Sequence, residues 1–421
     1  MADAYIERIV DAQIERSLRS TGAVLIEGAK WCGKTRTAKE RASSVLLMQN
    51  PSSIKVNLNL AETDPSKLLE GDIPRLIDEW QLAPSMWDAV RYEVDERGKP
   101  GQFILTGSSL PPESSVRHSG AGRIFRITMR PMSLYESKES NGSVSFRELF
   151  DGAIDVRGNS EMTLDELSFL IIRGGWPSSV LASKEYGIDN VQMYIENNIQ
   201  SELSIVDGIR RNPIIVRELL RSLSRNMSSM ATLTTIRADM TGQIESISDK
   251  TVNSYINALR QSFVIEDLAA WNPSLRSKTT IRGTPKRYFV DPSIATAVMR
   301  TAPEDLISDF NTFGLFFEAL CIRDLRVYAQ AIDGDVFHYR DRNDLEADAI
   351  IHLRNGKWGA IEIKVGNERV DLAARNLLKL KEKVDCDKMN APSFLLVITS
   401  SGYAYRREDG VFVVPIGCLK H

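Results

Sequence analysis

Apolar and polar positions follow two rhythms along this chain, and the switches between them outline its elements. Ile6, Ile9, Val10, Ile14 and Leu18 recur at helical spacing, which predicts a helix over residues 1–20 with one apolar face. From 22 to about 136, short apolar runs alternate with helical stretches, the mark of a parallel sheet; strands are expected at 23–27, 54–58, 74–78, 102–106 and 123–129. Residues 137–160 are polar and turn-rich and read as a linker or insertion. Residues 161–226 read as helical, interrupted at Gly174-Gly175-Trp176-Pro177.

The signature changes over 213–291, where three helical patterns near 214–226, 232–240 and 249–262 precede two strand-like runs at 263–268 and 287–290. Three helices and a hairpin predict a winged helix. In the third helix Val252, Ile256, Leu259 and Phe263 share a core face, which leaves Lys250, Asn253, Asn257 and Arg260 elsewhere on its surface, available to a major groove. Further on, an apolar helix at 313–320 leads into strands at 335–340, 345–352 and 358–364. The expected domains are therefore 1–136, 137–212, 213–300 and 301–421, consistent with a length of 421 residues, too great for one core.

Composition narrows this picture only a little. With 43% hydrophobic and 26% charged residues the chain is an ordinary globular one, and its net charge of −3 gives no global pull toward nucleic acid. No run of 18 apolar residues is present, and the first residues lack a signal-peptide pattern, so no membrane association is expected. Cys32, Cys321, Cys386 and Cys418 lie far apart without a C-x-x-C pair, which argues against zinc or disulfides and fits a reducing cytoplasm.

Candidate chemistry changes the picture most at Gly28-Ala29-Lys30-Trp31-Cys32-Gly33-Lys34-Thr35, a complete G-x-x-x-x-G-K-T phosphate loop between an apolar strand and a helix start. Its glycines let successive N–H groups curl around a polyphosphate, with Arg36 just beyond in the helix. Lys34 would reach the β- and γ-phosphates of ATP, and the Thr35 hydroxyl would hold Mg²⁺. Leu76-Ile77-Asp78-Glu79 has the form of a Walker B strand: Asp78 would hold the Mg²⁺ through water, and Glu79 would polarise the attacking water. Thr106 and Ser108, ending the next strand, are candidates for sensing the γ-phosphate, or plain turn residues. Arg117 and Arg123 are each either an arginine finger toward a neighbouring subunit of a homo-oligomer or a surface arginine.

Two further sets of residues carry chemistry. Between Asp267 and Asp291 there is no acid, whereas Arg276, Lys278, Arg282, Lys286 and Arg287 make the hairpin basic, which suggests phosphate contacts with DNA or a merely solvated surface. In the C-terminal strands, Asp348 and Glu362 are expected on adjacent hairpin strands around a turn at Asn355-Gly356, with Lys364 on the same face as Glu362. The two carboxylates could share a Mg²⁺, Lys364 could orient a water, and Glu318 from the preceding helix could complete the shell. This arrangement resembles the PD-(D/E)xK nuclease fold; acids and lysines ending exposed strands are the bland alternative.

Taken together, the phosphate loop, Leu76-Ile77-Asp78-Glu79-Trp80-Gln81, Leu105-Thr106-Gly107-Ser108-Ser109, Met129-Arg130-Pro131-Met132-Ser133-Leu134, Gly174-Gly175-Trp176-Pro177 and Glu362-Ile363-Lys364 resemble one family: prokaryotic AAA-type ATPases with a C-terminal DUF4143 region. The resemblance spans nearly the whole chain. It implies an α/β architecture of an AAA+ parallel sheet with a helical lid, a winged helix, and a restriction-endonuclease-like C-terminal α/β domain. ATP hydrolysis with engagement of DNA is the leading reading. An ATP-gated Mg²⁺-dependent nuclease and a nucleotide-dependent signalling switch that binds proteins are the alternatives.

Overall fold

The computed structural model describes residues 5–109, 120–196, 209, 211–240, 247–273, 283–384 and 389–421. The chain divides into two compact units. One holds the chain up to Pro131 together with Ser254–Val264, and the other holds Met132–Glu196, Asn212–Asn253 and Ile265–His421.

The first unit is an α/β layer structure: α1 (Val10–Leu18), β1 (Ala23–Glu27), α2 (Lys34–Lys39), β2 (Ser44–Leu47), α3 (Ile54–Thr63), β3 (Arg75–Asp78), α4 (Ser85–Arg97), β4 (Phe103–Gly107) and β5 (Ile124–Thr128). The strands form one five-stranded sheet in the order β2-β3-β4-β1-β5, parallel at every pairing. Central β1 and β4 are apolar on both faces, as strands covered by helices on each side must be. Ala23, Leu25, Ile77, Phe103 and Leu105 pack with Trp80 and Trp87, whose ring centroids lie 5.0 Å apart.

One expected strand is a helix. Ile54-Lys55-Val56-Asn57-Leu58 alternates like a strand, but Ile54, Leu58 and Ala61 also recur at helical spacing, and α3 forms with Val56 left 58% exposed. The strand that fills this place in the sheet is β2, short and only half-buried, so its sequence carries a weak signal.

The second unit is built on a seven-stranded mixed sheet. Its strands are β7 (Gly158–Ser160), β8 (Gly334–Arg340), β9 (Glu346–Leu353), β10 (Trp358–Lys364), β11 (Phe394–Thr399), β12 (Gly402–Arg406) and β13 (Phe412–Pro415). Their order is β7-β12-β13-β11-β10-β9-β8. β8, β9 and β10 run antiparallel, and β10, β11 and β13 run parallel. The helix Val370–Lys383 lays Val370, Ala373, Ala374, Leu377 and Leu380 on this sheet, and the long helix Phe310–Ala331 packs against β8 and β9.

The polar stretch expected as a linker belongs to this unit. β7 pairs with β12, and β6 (Val144–Ser145) pairs with β14 (Leu419–Lys420) at the end of the chain. The Gly174-Gly175-Trp176-Pro177 break, expected inside an ATPase lid, docks within the same unit: the Gly175 N–H donates to Asp291 at 2.9 Å and Trp176 Nε1 donates to Ser293 at 3.0 Å. A Cβ at Gly175 would stand 2.1 Å from the Met132 carbonyl oxygen, inside van der Waals contact, so close approach explains this glycine.

Three helices occupy the expected winged-helix region, Pro213–Arg225, Leu233–Met240 and Asp249–Gln261. Antiparallel bridges Ile265↔Phe289 and Leu268↔Lys286 follow. The first arm of that hairpin then runs beside β8, with the Trp271 N–H donating to the His338 carbonyl at 2.7 Å and the His338 N–H to Ala269 at 2.9 Å. The hairpin thus extends the C-terminal sheet. No helix among the described residues is long and apolar enough to cross a membrane.

Candidate nucleotide site and a second acidic centre

The phosphate loop lies where an open parallel sheet presents ligand sites, beyond the carboxyl end of β1. Gly28 has φ 151° and its absent Cβ would fall 2.0 Å from the Met129 carbonyl oxygen, so only glycine lets the loop pass that backbone. Gly33, at φ 107°, turns the chain into α2. Ala29 and Cys32 are buried, Trp31 and Arg36 are exposed, Lys30 is intermediate, and Arg36 pairs with Glu40 at 2.9 Å. Lys34 is 5% exposed and its Nζ donates to the carbonyls of Gly28 and Ala29 at 2.9 and 2.8 Å, inside the curl of the loop.

β3 brings Asp78 to the same place. Thr35 Oγ1 donates to Asp78 Oδ1 at 2.7 Å, Thr106 Oγ1 donates to the same oxygen at 2.5 Å, and Gln49 Nε2 donates to Oδ2 at 2.6 Å. Asp78 is fully buried, and these donors satisfy it. Glu79 follows in the left-handed region at φ 58°, an uncommon conformation for a residue other than glycine, and turns out of the strand. Its carboxylate accepts from Ser108 Oγ at 3.3 Å and from Gln81 Nε2. Burial lifts the Glu79 carboxyl above its ordinary range, against the pull of the nearby Lys34 ammonium. Gln81 Oε1 is buried without a hydrogen-bond partner among the described residues.

Lys34, Thr35, Asp78, Glu79, Thr106 and Ser108 thus converge, and Thr35 with Asp78 offers the hard oxygen donors that suit Mg²⁺. Arg123 does not join them. It precedes β5 at the amino end of the sheet, about four strand residues or roughly 13 Å from the loop, and pairs with Asp95 at 2.9 Å. Arg117 lies outside the described residues. Sequence reasoning missed Gln49, Gln81 and Arg8. The guanidinium of Arg8 donates at 2.8 Å to the carbonyl of Cys32 in the loop and at 2.8 Å to that of Arg130. The position of Gln81, a lone polar residue just past the two acids, was the available signal; Gln49 was hidden because it follows the missed strand β2.

A second centre forms on the C-terminal sheet. The β9–β10 register pairs Ala349 with Ile361, and one step further the Ile363 N–H donates to Asp348 Oδ2 at 2.8 Å. Lys364 Nζ lies 3.1 Å from Asp348 and 2.5 Å from Glu362. Glu318, on the helix Phe310–Ala331, joins them through Lys286, whose Nζ is 3.0 Å from Glu318 and 3.6 Å from Asp348. Tyr288 donates its hydroxyl to Glu318 at 2.5 Å.

Electrostatics in this centre follow from burial and these pairings. Burial and then the Asp348 charge push the Glu362 carboxyl up to about 8, against the attraction of Lys364. Burial would also raise Asp348, but Lys364 and then Lys286 outweigh it and hold that carboxyl below its usual range. Burial raises Glu318. The residues present do not fit a divalent metal: the carboxylate oxygens that would coordinate it already face two ammonium groups. Among the described residues no group of three His, Cys, Asp or Glu is arranged to hold a metal ion. The Mg²⁺ expected at Asp348 and Glu362 would have to displace these ammonium groups.

The basic hairpin also needs correction. Lys286 and Arg287 are 8% and 7% exposed, and both are spent inward, Arg287 on Asp267 at 2.7 Å, so neither is free to meet a phosphate. Arg276, Lys278 and Arg282 lie outside the described residues. Lys250 and Asn253 are exposed on the helix Asp249–Gln261.

Residues 20–138 match the model of an AAA domain, 164–305 that of a domain of unknown function, DUF8612, and 313–419 that of another, DUF4143. The chain is an AAA-type protein with a C-terminal DUF4143 region. Uncharacterized proteins of Mycobacterium bovis (Mb2031c) and Mycobacterium tuberculosis (Rv2008c) are each 23% identical to it over 360 residues, covering 84% of this chain and 72% of theirs. Among solved structures, the Walker-type ATPase PABY2304 of Pyrococcus abyssi is 14% identical with a TM-score of 0.41, over 71% of this chain and 97% of that one. The signal transduction ATPase (STAND) protein PH0952 of Pyrococcus horikoshii, which has a tetratricopeptide repeat sensor, is 12% identical with a TM-score of 0.22. This match covers 79% of the present chain and 50% of that protein.

Proposed function

We propose that this protein binds ATP at the phosphate loop and hydrolyses it with Mg²⁺. The observation that carries the reading is the 2.7 Å contact between Thr35 and Asp78, which joins the loop to the acidic strand end at one point. Thr35 and Asp78 would hold Mg²⁺ there, which would supply positive charge to offset that of the phosphates. Lys34, already inside the loop, exchanges its carbonyl partners for phosphate oxygens. Asp78 is held in place by Thr106 and Gln49. Glu79, with its raised proton affinity, accepts the proton of the attacking water, and Gln81 and Ser108 fix its carboxylate. ATP hydrolysis by the full chain tests this, with Lys34→Ala as the control. The reading requires Mg²⁺-dependent turnover that Lys34→Ala abolishes, and turnover unchanged in that variant refutes it.

A second reading, engagement of DNA, rests on the exposure of Lys250 and Asn253 on one helix. It no longer draws on Lys286 or Arg287. Stimulation of the ATPase by duplex DNA, lost at raised salt, supports it; an equal rate with and without DNA turns the protein toward a switch that acts on protein partners.

A further inference from the structure

The C-terminal centre contains one cation that the D…E-x-K spacing does not supply. Lys286 comes from the second arm of the hairpin, where its backbone exchanges hydrogen bonds with Leu268 at 2.9 and 3.0 Å. Its position is therefore fixed by strand pairing, and its side chain is 8% exposed. The ammonium lies between the carboxylates of Glu318 and Asp348, while Lys364 lies between those of Asp348 and Glu362. Three acids thus share two lysines, and each carboxylate has at least one oxygen turned to an ammonium.

We infer that Lys286 is the resident cation of this centre and that, by occupying the space between Glu318 and Asp348, it keeps divalent metal out. A divalent ion has to gather carboxylate oxygens directly, at about 2.0–2.6 Å. The same oxygens here are drawn toward Lys286 and Lys364, and Tyr288 takes a further share of Glu318. A metal entering the centre has to displace a lysine whose backbone is pinned and whose charge then has no buried partner, a strongly unfavourable exchange. The centre consequently acts as a fastening: it ties the hairpin to the helix Phe310–Ala331 and to β9, and it does not cut phosphodiesters by metal chemistry.

The inference is independent of ATP hydrolysis and is tested without nucleotide. Mn²⁺ is titrated into the full chain carrying Asp78→Asn, which silences the phosphate-loop position, and free Mn²⁺ is followed by its electron paramagnetic resonance signal. With Lys286 intact the chain takes up no stoichiometric Mn²⁺. Adding Lys286→Met creates a site at least tenfold tighter, and adding Asp348→Asn to that removes it. Stoichiometric uptake by the Lys286-intact chain that Asp348→Asn abolishes overturns the inference, as does a folded Lys286→Met chain with no gain in affinity. The first arm needs no change at Lys286, so it decides the matter even if Lys286→Met does not give a cooperative melt.

Discussion

The two centres are made of the same parts, acids at strand ends with a lysine close by, yet they are in opposite states of readiness. At the phosphate loop Lys34 rests on two backbone carbonyls, partners that a phosphate can replace at little cost. At the C-terminal centre every lysine contact is to a buried or half-buried carboxylate, so each ammonium is already met inside the protein. What separates a site from a fastening is therefore whether the cation is still waiting for its anion.

That contrast is open to direct attack. The largest expected effect is on stability: Lys286→Met leaves Glu318 and Asp348 short of a buried partner and should cost about 3–5 kcal/mol, read as a large drop in melting temperature. Lys34→Ala removes two hydrogen bonds to loop carbonyls, each worth about 1 kcal/mol, leaves no buried carboxylate unpaired, and should lower the melting temperature less. Comparable losses in the two variants would erase the distinction.

Next in size is a catalytic effect. Glu79→Gln should slow ATP hydrolysis by about 10²–10⁴-fold while nucleotide affinity stays close to normal, since general-base loss acts on the chemical step. A matching fall in affinity would mean that Glu79 helps to hold the nucleotide.

A pH dependence sharpens the same comparison. Glu362 titrates from about 4.5 in an ordinary setting to about 8 in the folded protein. A carboxyl raised in this way stabilises the fold fully below about pH 4.5, and that contribution is lost as the pH rises through about 8. The melting temperature should fall over this upper range more steeply in the wild type than in Glu362→Gln, and equal slopes would remove Glu362 from the explanation. The smallest effect is expected on the exposed helix. Lys250→Glu with Asn253→Asp should weaken any DNA binding modestly and reduce its salt slope by about one.

How much of this was legible in the sequence depends on how far apart the partners lie. Lys34 and Thr35 sit in one contiguous loop, and Asp78 closes a short apolar strand of its own, so local pattern sufficed for each. The D…E-x-K spacing likewise brought Asp348, Glu362 and Lys364 together, because hairpin geometry relates them. Lys286 escaped because its partners, Glu318 and Asp348, are on elements whose pairing only the folded sheet defines. A linear count of positive charge made the hairpin look like a surface; packing turned two of its charges inward. The stretch 137–160 was misread for a similar reason, since its strands are completed by β12 and β14 near the other end of the chain. α3 shows the converse failure, a local alternation that fits two periods at once.

One measurement reaches the central claim directly: the number of Mn²⁺ ions bound per chain in the presence of a non-hydrolysable ATP analogue. The account predicts a single ion, lost in Lys34→Ala and indifferent to Asp348→Asn. Two ions, or one that depends on Asp348, would contradict it.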